Sequence, residues 1–179
     1  MANDSYIENC LFTGLVEYSG TGTSPNMGGI LGKDHSAGKI YLTNVLSLGT
    51  VEGKNGGAAV NTSASVAGNV SASGTTLTVT NVYAGSQCFK KNGTVNQTAY
   101  GNFGGSVTNN ISKNKKYGII TEANIVGALA ANGTVLVNFD FANTWATITT
   151  ADGVTQDGMP VLSYFKNWYL TNVLSTETE

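Results

Sequence analysis

The chain has 179 residues, of which 11% are charged, against roughly 25% in an ordinary soluble domain. Its net charge is −2, and all nine basic residues are Lys. Without the guanidinium fork and without a positive surplus, nucleic acid is excluded as a partner. No apolar run approaches the ~20 residues of a membrane-spanning helix. A hydrophobic fraction of 41% with so few charges also argues against disorder.

Met1-Ala2-Asn3-Asp4 passes directly into patterned sequence, with no basic segment followed by an apolar one, so no secretory leader is read here. The dominance of Asn, Thr, Ser and Gly nevertheless points to a piece of a longer secreted chain. Three segments then align on an asparagine: Ile7-Glu8-Asn9-Cys10-Leu11, Leu42-Thr43-Asn44-Val45-Leu46 and Val79-Thr80-Asn81-Val82-Tyr83. A glycine follows each within a few residues, at Gly14, Gly49 and Gly85, and a Gly-Gly pair follows later, at 28–29, 56–57 and 104–105. Six residues, Leu42 to Ser47, recur unchanged as Leu170 to Ser175. Such self-similarity is the mark of a repeat architecture.

Within the units the pattern is that of strands. Ile40, Leu42, Leu46 and Leu48 alternate with Tyr41, Thr43, Val45 and Ser47. The asparagine shares the aliphatic parity, and a buried lone amide would cost a few kcal/mol (roughly). Either units stack about 4.8 Å apart with their amides bonded in a ladder, or the strand bends there and the Asn caps the corner. Both require equivalent positions to stack. The expected architecture is an all-β, right-handed parallel β-helix, with repeat units about 6–37, 38–73 and 74–116 and a helix plus cap over 117–179.

Residues 55 to 89 carry no charge, yet Val60, Val66, Val70, Leu77 and Val79 keep returning, which favours stacked strands over a flexible linker. Cys10 and Cys88 are read as buried free thiols rather than a disulfide. Thr121 as N-cap, Glu122 in the first turn, a stripe of Ile125, Val126 and Leu129, and a stop at Asn132-Gly133 predict one short capping helix. Strands are expected at Val135–Phe141, Trp145–Ile148 and Pro160–Leu162, closing the open end that a repeat array exposes.

The unit Ile7-Glu8-Asn9-Cys10-Leu11-Phe12-Thr13-Gly14, followed by Met27-Gly28-Gly29-Ile30-Leu31-Gly32, resembles the GLUG motif of large bacterial surface and secreted proteins. Leu42 to Gly49 and Val79 to Gly85 look like weaker copies, lacking the Cys and the Ile-Leu-Gly. The tail is similar too: a helix over Glu122–Ala131, then Phe139-Asp140-Phe141, Trp145 and Pro160-Val161-Leu162. The resemblance implies a β-solenoid displayed outside a bacterial cell, and it implies no activity.

Candidate chemistry is sparse. Glu17 and Glu52 stand eight residues after Asn9 and Asn44 and could neighbour each other as a carboxylate pair, the arrangement glycoside hydrolysis needs; solvated loop carboxylates are the plainer reading. Asp34-His35-Ser36 holds triad residue types, but consecutive side chains do not face one another. Asp152-Gly-Val-Thr-Gln-Asp157-Gly matches no EF-hand spacing and reads as a turn. No catalytic residue, metal or cofactor is assigned. Trp145, Tyr164, Phe165, Trp168 and Tyr169, with Tyr100 and Phe103, are expected to fill a cap core rather than to stack on sugars. The expectation is therefore a non-catalytic, extracellular structural or adhesive module of a bacterial surface protein that touches glycans or host proteins. The alternatives are a fragment of a carbohydrate-active enzyme, with Glu17 and Glu52 facing one groove, and a trimeric structural fibre.

Overall fold

The computed structural model of the chain describes residues 4–21, 25–33, 38–54, 63–70, 75–85, 89–91, 94–95, 100–103, 106–107, 118–120, 136, 139–152 and 159–172. The chain divides into two compact units, Met1–Thr121 and Glu122–Glu179.

In the first unit, β1 (Ser5–Phe12), β4 (Lys39–Ser47) and β7 (Thr76–Gly85) are the three Asn-centred segments. They pair parallel and in register, Ile7 against Leu42 against Val79, and β11 (Ser106–Val107) and β12 (Gly118–Ile120) both pair with β7. β2 (Leu15–Tyr18) pairs parallel with β5 (Thr50–Gly53), which pairs with β8 (Phe89–Lys91). A third sheet runs β3 (Leu31–Lys33), β6 (Ala67–Val70), β10 (Tyr100–Phe103), also parallel.

The asparagines explain how the core is filled. Asn9, Asn44 and Asn81 have φ of 51°, 53° and 53°, a left-handed conformation that Asn tolerates better than most residues. Asn44 Nδ2 donates to Asn9 Oδ1 at 3.3 Å, and Asn81 Nδ2 to Asn44 Oδ1 at 2.8 Å. Both sequence-derived alternatives hold at once: the strand turns at the asparagine, and the amides form a ladder. The turn also resets the alternation. Val45, expected on the outer parity, is fully buried, and it joins Leu42, Val66, Val70, Leu77, Val79 and Val82 in the main apolar cluster.

After the first two kinked strands, Gly14 and Gly49 let the two units touch. Leu48 and Gly49 both donate their backbone N–H to the Phe12 carbonyl at 2.8 Å, and Thr50 N–H donates to the Gly14 carbonyl at 2.8 Å. A Cβ on Gly49 would lie 2.3 Å from that Gly14 oxygen, so only glycine fits. The Gly28-Gly29 pair meets a different segment. Gly29 donates its N–H to the Ser65 carbonyl and Met27 bridges Ser63, so the partners of the first pair are Ala64 and Ser65. Residues 63–70, within the charge-free stretch, are all buried.

The expected right-handed parallel β-helix is not what forms. The described strands lie in four small separate sheets of five, three, two and four strands, and no closed solenoid joins them. Two of these sheets contain antiparallel pairing. β9 (Thr94–Val95) folds back on β8, Lys90 against Val95 and Lys91 against Thr94. The two residues between these strands are Asn92 and Gly93, the dipeptide most favoured in a two-residue hairpin. The β2–β5–β8 sheet therefore ends on an antiparallel strand instead of a further parallel one.

In the second unit, β13 (Trp145–Ile148) and β14 (Met159–Leu162) pair antiparallel. Trp145 is fully buried, with Phe139 edge-on to it at 5.0 Å, and Leu136, Ile148 and Val161 complete the buried apolar set. Of the strand expected at Val135–Phe141, the described residues 136 and 139–141 are not strand, and Phe141 opens a turn that runs to Thr144, where the Asp140 carboxylate accepts the N–H groups of Ala142 (3.0 Å) and Asn143 (3.1 Å). The capping helix expected at 121–131 lies outside the described residues. A helix with no counterpart in the sequence reading, α1 (Lys166–Asn172), follows a 3-10 turn at Ser163–Phe165. No helix among the described residues is long and apolar enough to cross a membrane.

Candidate functional site

Two outer faces of the first unit gather polar and aromatic side chains. On β1 and β4, alternation before the asparagine turns Ile7 and Leu42 inward and leaves Tyr6, Glu8, Tyr41 and Thr43 on the other face. Register sets Tyr6 against Tyr41, and their rings stack with centroids 4.8 Å apart and planes 6° from parallel. Tyr6 is 63% exposed, and its hydroxyl lies 3.5 Å from Asp4 Oδ2. The next row outward is Glu8, Thr43 and Thr80. The result is a strip of the outer face with two aligned phenol rings held by the register of the strands.

On β2 and β5 the same logic turns Val16 and Val51 toward Met27, Phe12 and Tyr18, and leaves Glu17 and Glu52 as register partners on the outer face. Lys90 continues the register row on β8. Lys54, just past β5, forms an ion pair with Glu17 at 2.5 Å. Its ammonium is held above its ordinary value by the hydrogen bond to Glu17, then by attraction to the Glu17 and Glu52 carboxylates. The two acids are thus neighbours, as their equivalent spacing suggested, but one of them is neutralised by a lysine that the sequence reading did not single out. Its signal was available: Lys54 follows the Glu52 position by two residues, the interval of one strand face.

The other sequence candidates scatter. Asp34, His35 and Ser36 lie outside the described residues, as do Asp157 and Cys88. Cys10 is a free thiol, half-buried, and burial raises its pKa; it donates to the Glu8 carbonyl at 3.4 Å. Asp152 is fully employed by its own unit. Its carboxylate accepts Thr149 N–H at 2.8 Å and meets Lys166 Nζ at 2.8 Å, and the Lys166 hydrogen bond above all holds its pKa below the ordinary value. Among the described residues no group of three or more His, Cys, Asp or Glu is placed to hold a metal ion. Of the late aromatics, Trp145 fills the core as expected. Tyr164 (90% exposed), Phe165 and Trp168 do not, and stand out from the 3-10 turn and α1. The stacked Tyr6–Tyr41 pair escaped the sequence reading, although both residues stand three positions before a repeat asparagine.

No protein-family model, no curated protein and no solved structure matches the chain. The geometry itself defines the class: a predominantly β protein whose repeated units pair parallel and in register in its first part.

Proposed function

We propose that the chain is a non-catalytic structural and adhesive module of a bacterial cell-surface protein, displayed outside the cell and touching glycans or a host protein. The observation that carries this reading is the stacked Tyr6–Tyr41 pair, with Tyr6 exposed, Tyr41 half-buried, and Glu8 and Thr43 on the same face. Rings fixed by strand spacing lose little rotamer freedom on binding, and an aromatic body with a hydroxyl tip suits both sugar rings and protein surfaces. The low charge of the chain fits a stacked arrangement, where like residues recur about 4.8 Å apart and repeated charges would repel. The resemblance to GLUG repeats supports the extracellular setting. The test is a glycan array and a host-protein panel probed with the full chain and with Tyr6→Ala and Tyr41→Ala. Binding that both substitutions weaken supports the reading; turnover of a polysaccharide in a broad substrate screen sinks it.

A second reading, a fragment of a carbohydrate-active enzyme, is favoured by one observation. Glu17 and Glu52 are register partners on one face, and neighbouring strands set such residues about 4.8 Å apart, near the roughly 5–5.5 Å of a retaining carboxylate pair. Against it, Lys54 holds Glu17, and the described aromatics nearest these strands, Phe12 and Tyr18, pack on the Met27–Val51 cluster instead of beside the acids. Glycoside cleavage abolished by both Glu17→Gln and Glu52→Gln would establish this second reading.

A further inference from the structure

Strand β1 ends the first sheet: among the described residues it pairs only with β4. Burial along the sheet shows the effect of that position. Ile7, Cys10 and Leu11 are only half-buried, whereas their register partners Leu42, Val45 and Leu46 are fully buried, as are Val79, Val82 and Tyr83 on β7. One further strand on β1 would bring its core-facing residues to the burial of the next two layers, and it would bond the backbone groups that an edge strand leaves open.

The chain contains a segment with the side chains such a strand needs. The echo of β4 near the end of the sequence extends one residue beyond Leu42–Ser47: Tyr169-Leu170-Thr171-Asn172-Val173-Leu174-Ser175 repeats Tyr41 to Ser47 residue for residue. Tyr41–Ser47 is the part of β4 that pairs with Tyr6–Phe12, so this heptapeptide is already matched to β1 in side-chain size and register. In that register Tyr169 faces Tyr6, Asn172 stands beside Asn9, and Val173 and Leu174 lie against Cys10 and Leu11. In the second unit the described part of this segment is not a strand. Tyr169–Asn172 are the last four residues of α1, a seven-residue helix with no buried side chain, and residues 173–175 lie outside the described residues. Helices this short are marginal in water, while Tyr, Thr and Val favour strands.

We propose that the Tyr169–Ser175 segment of one copy of this chain adds to β1 of a second copy as a parallel edge strand. A second copy is the one partner whose sequence is known to carry the matching heptapeptide. Donor segment and acceptor edge are different surfaces of each copy, so the contact is heterologous and continues from copy to copy. It holds whatever the Tyr6–Tyr41 pair binds.

The test is sedimentation velocity on the full chain from about 1 μM to about 1 mM, the range in which a single added strand is expected to register. The wild type is expected to grow in mass with concentration. Leu174→Asp places a carboxylate where β4 has the fully buried Leu46, beyond the end of α1, and is expected to weaken association at least about tenfold. A synthetic peptide spanning 166–179 is expected to bind the Leu174→Asp chain, whose own β1 is intact, and in excess to dissociate the wild-type assembly. The same peptide with Asn172→Pro is expected to do neither. A wild type that stays a monomer throughout overturns the second copy as occupant. Failure of the peptide to bind, or undiminished association of the Leu174→Asp chain, overturns the strand addition itself.

Discussion

Asn44 holds a backbone conformation that most side chains avoid, while its amide serves two neighbours, donating to Asn9 and accepting from Asn81. Two hydrogen bonds are worth about 1 kcal/mol each, and a left-handed alanine costs a further 1–2 kcal/mol or so. Asn44→Ala is therefore expected to lower the unfolding free energy by about 3–4 kcal/mol and Asn44→Gly by only about 2, measured by urea titration. That order reverses the usual ranking of Ala over Gly inside a regular element. Asp152 makes a second prediction. Its pKa is depressed in the folded state, chiefly by Lys166, so its stabilisation is present above the unfolded value of about 3.9 and is lost as pH falls through the folded one. Thermal unfolding monitored below about pH 4 should show the wild type losing stability more steeply than Asp152→Asn. The repeat asparagines were legible because they recur at a near-constant interval; the inward turn of Val45 was not, because alternation counts along a straight strand and the positive φ of Asn44 breaks that count.

At the scale of elements, the close approach of Gly49 to Gly14 ties two successive units together. Gly49→Ala would drive a methyl group to within 2.3 Å of the Gly14 carbonyl, and the backbone shift this forces should cost about 1–3 kcal/mol in the same titration. The Asn-centred strands of the first sheet were legible from their repeat and alternation, and β13 from its own short apolar run; β11 and β12, of two and three residues, were not. What escaped is instructive. The reversal between β8 and β9 was missed although the sequence has Asn92-Gly93 between them, a local turn signal hidden in a chain already rich in both residues. Helix α1 escaped for the opposite reason: Tyr169-Leu170-Thr171-Asn172 reads as a strand, and as β4 it is one. The aligned tyrosines were missed because their pairing is a consequence of register, which no single segment reveals.

Among the described residues the two units have apolar centres of their own, the first around Leu42, Val45, Val79 and Val82 with a smaller cluster at Met27 and Val51, the second around Trp145, Phe139, Ile148 and Val161. Units with separate cores are expected to melt as separate transitions. In calorimetry, Trp145→Ala should destabilise one transition by about 3–5 kcal/mol and leave the other in place, while Asn44→Ala does the converse. A single transition shifted equally by both substitutions would contradict this division. The ladder asparagines also bear on how such a chain tolerates change in length. They stand 35 and 37 residues apart, yet the strands on either side keep their register without a slip. The difference of two residues is absorbed between the strands. Insertions and deletions there are neutral to the pairing, whereas one residue gained or lost inside β4 would misalign it with both neighbours. Length variation along this chain is thus confined to its connections, and that gives relatives of it a rule for where their sequences are free to differ in size.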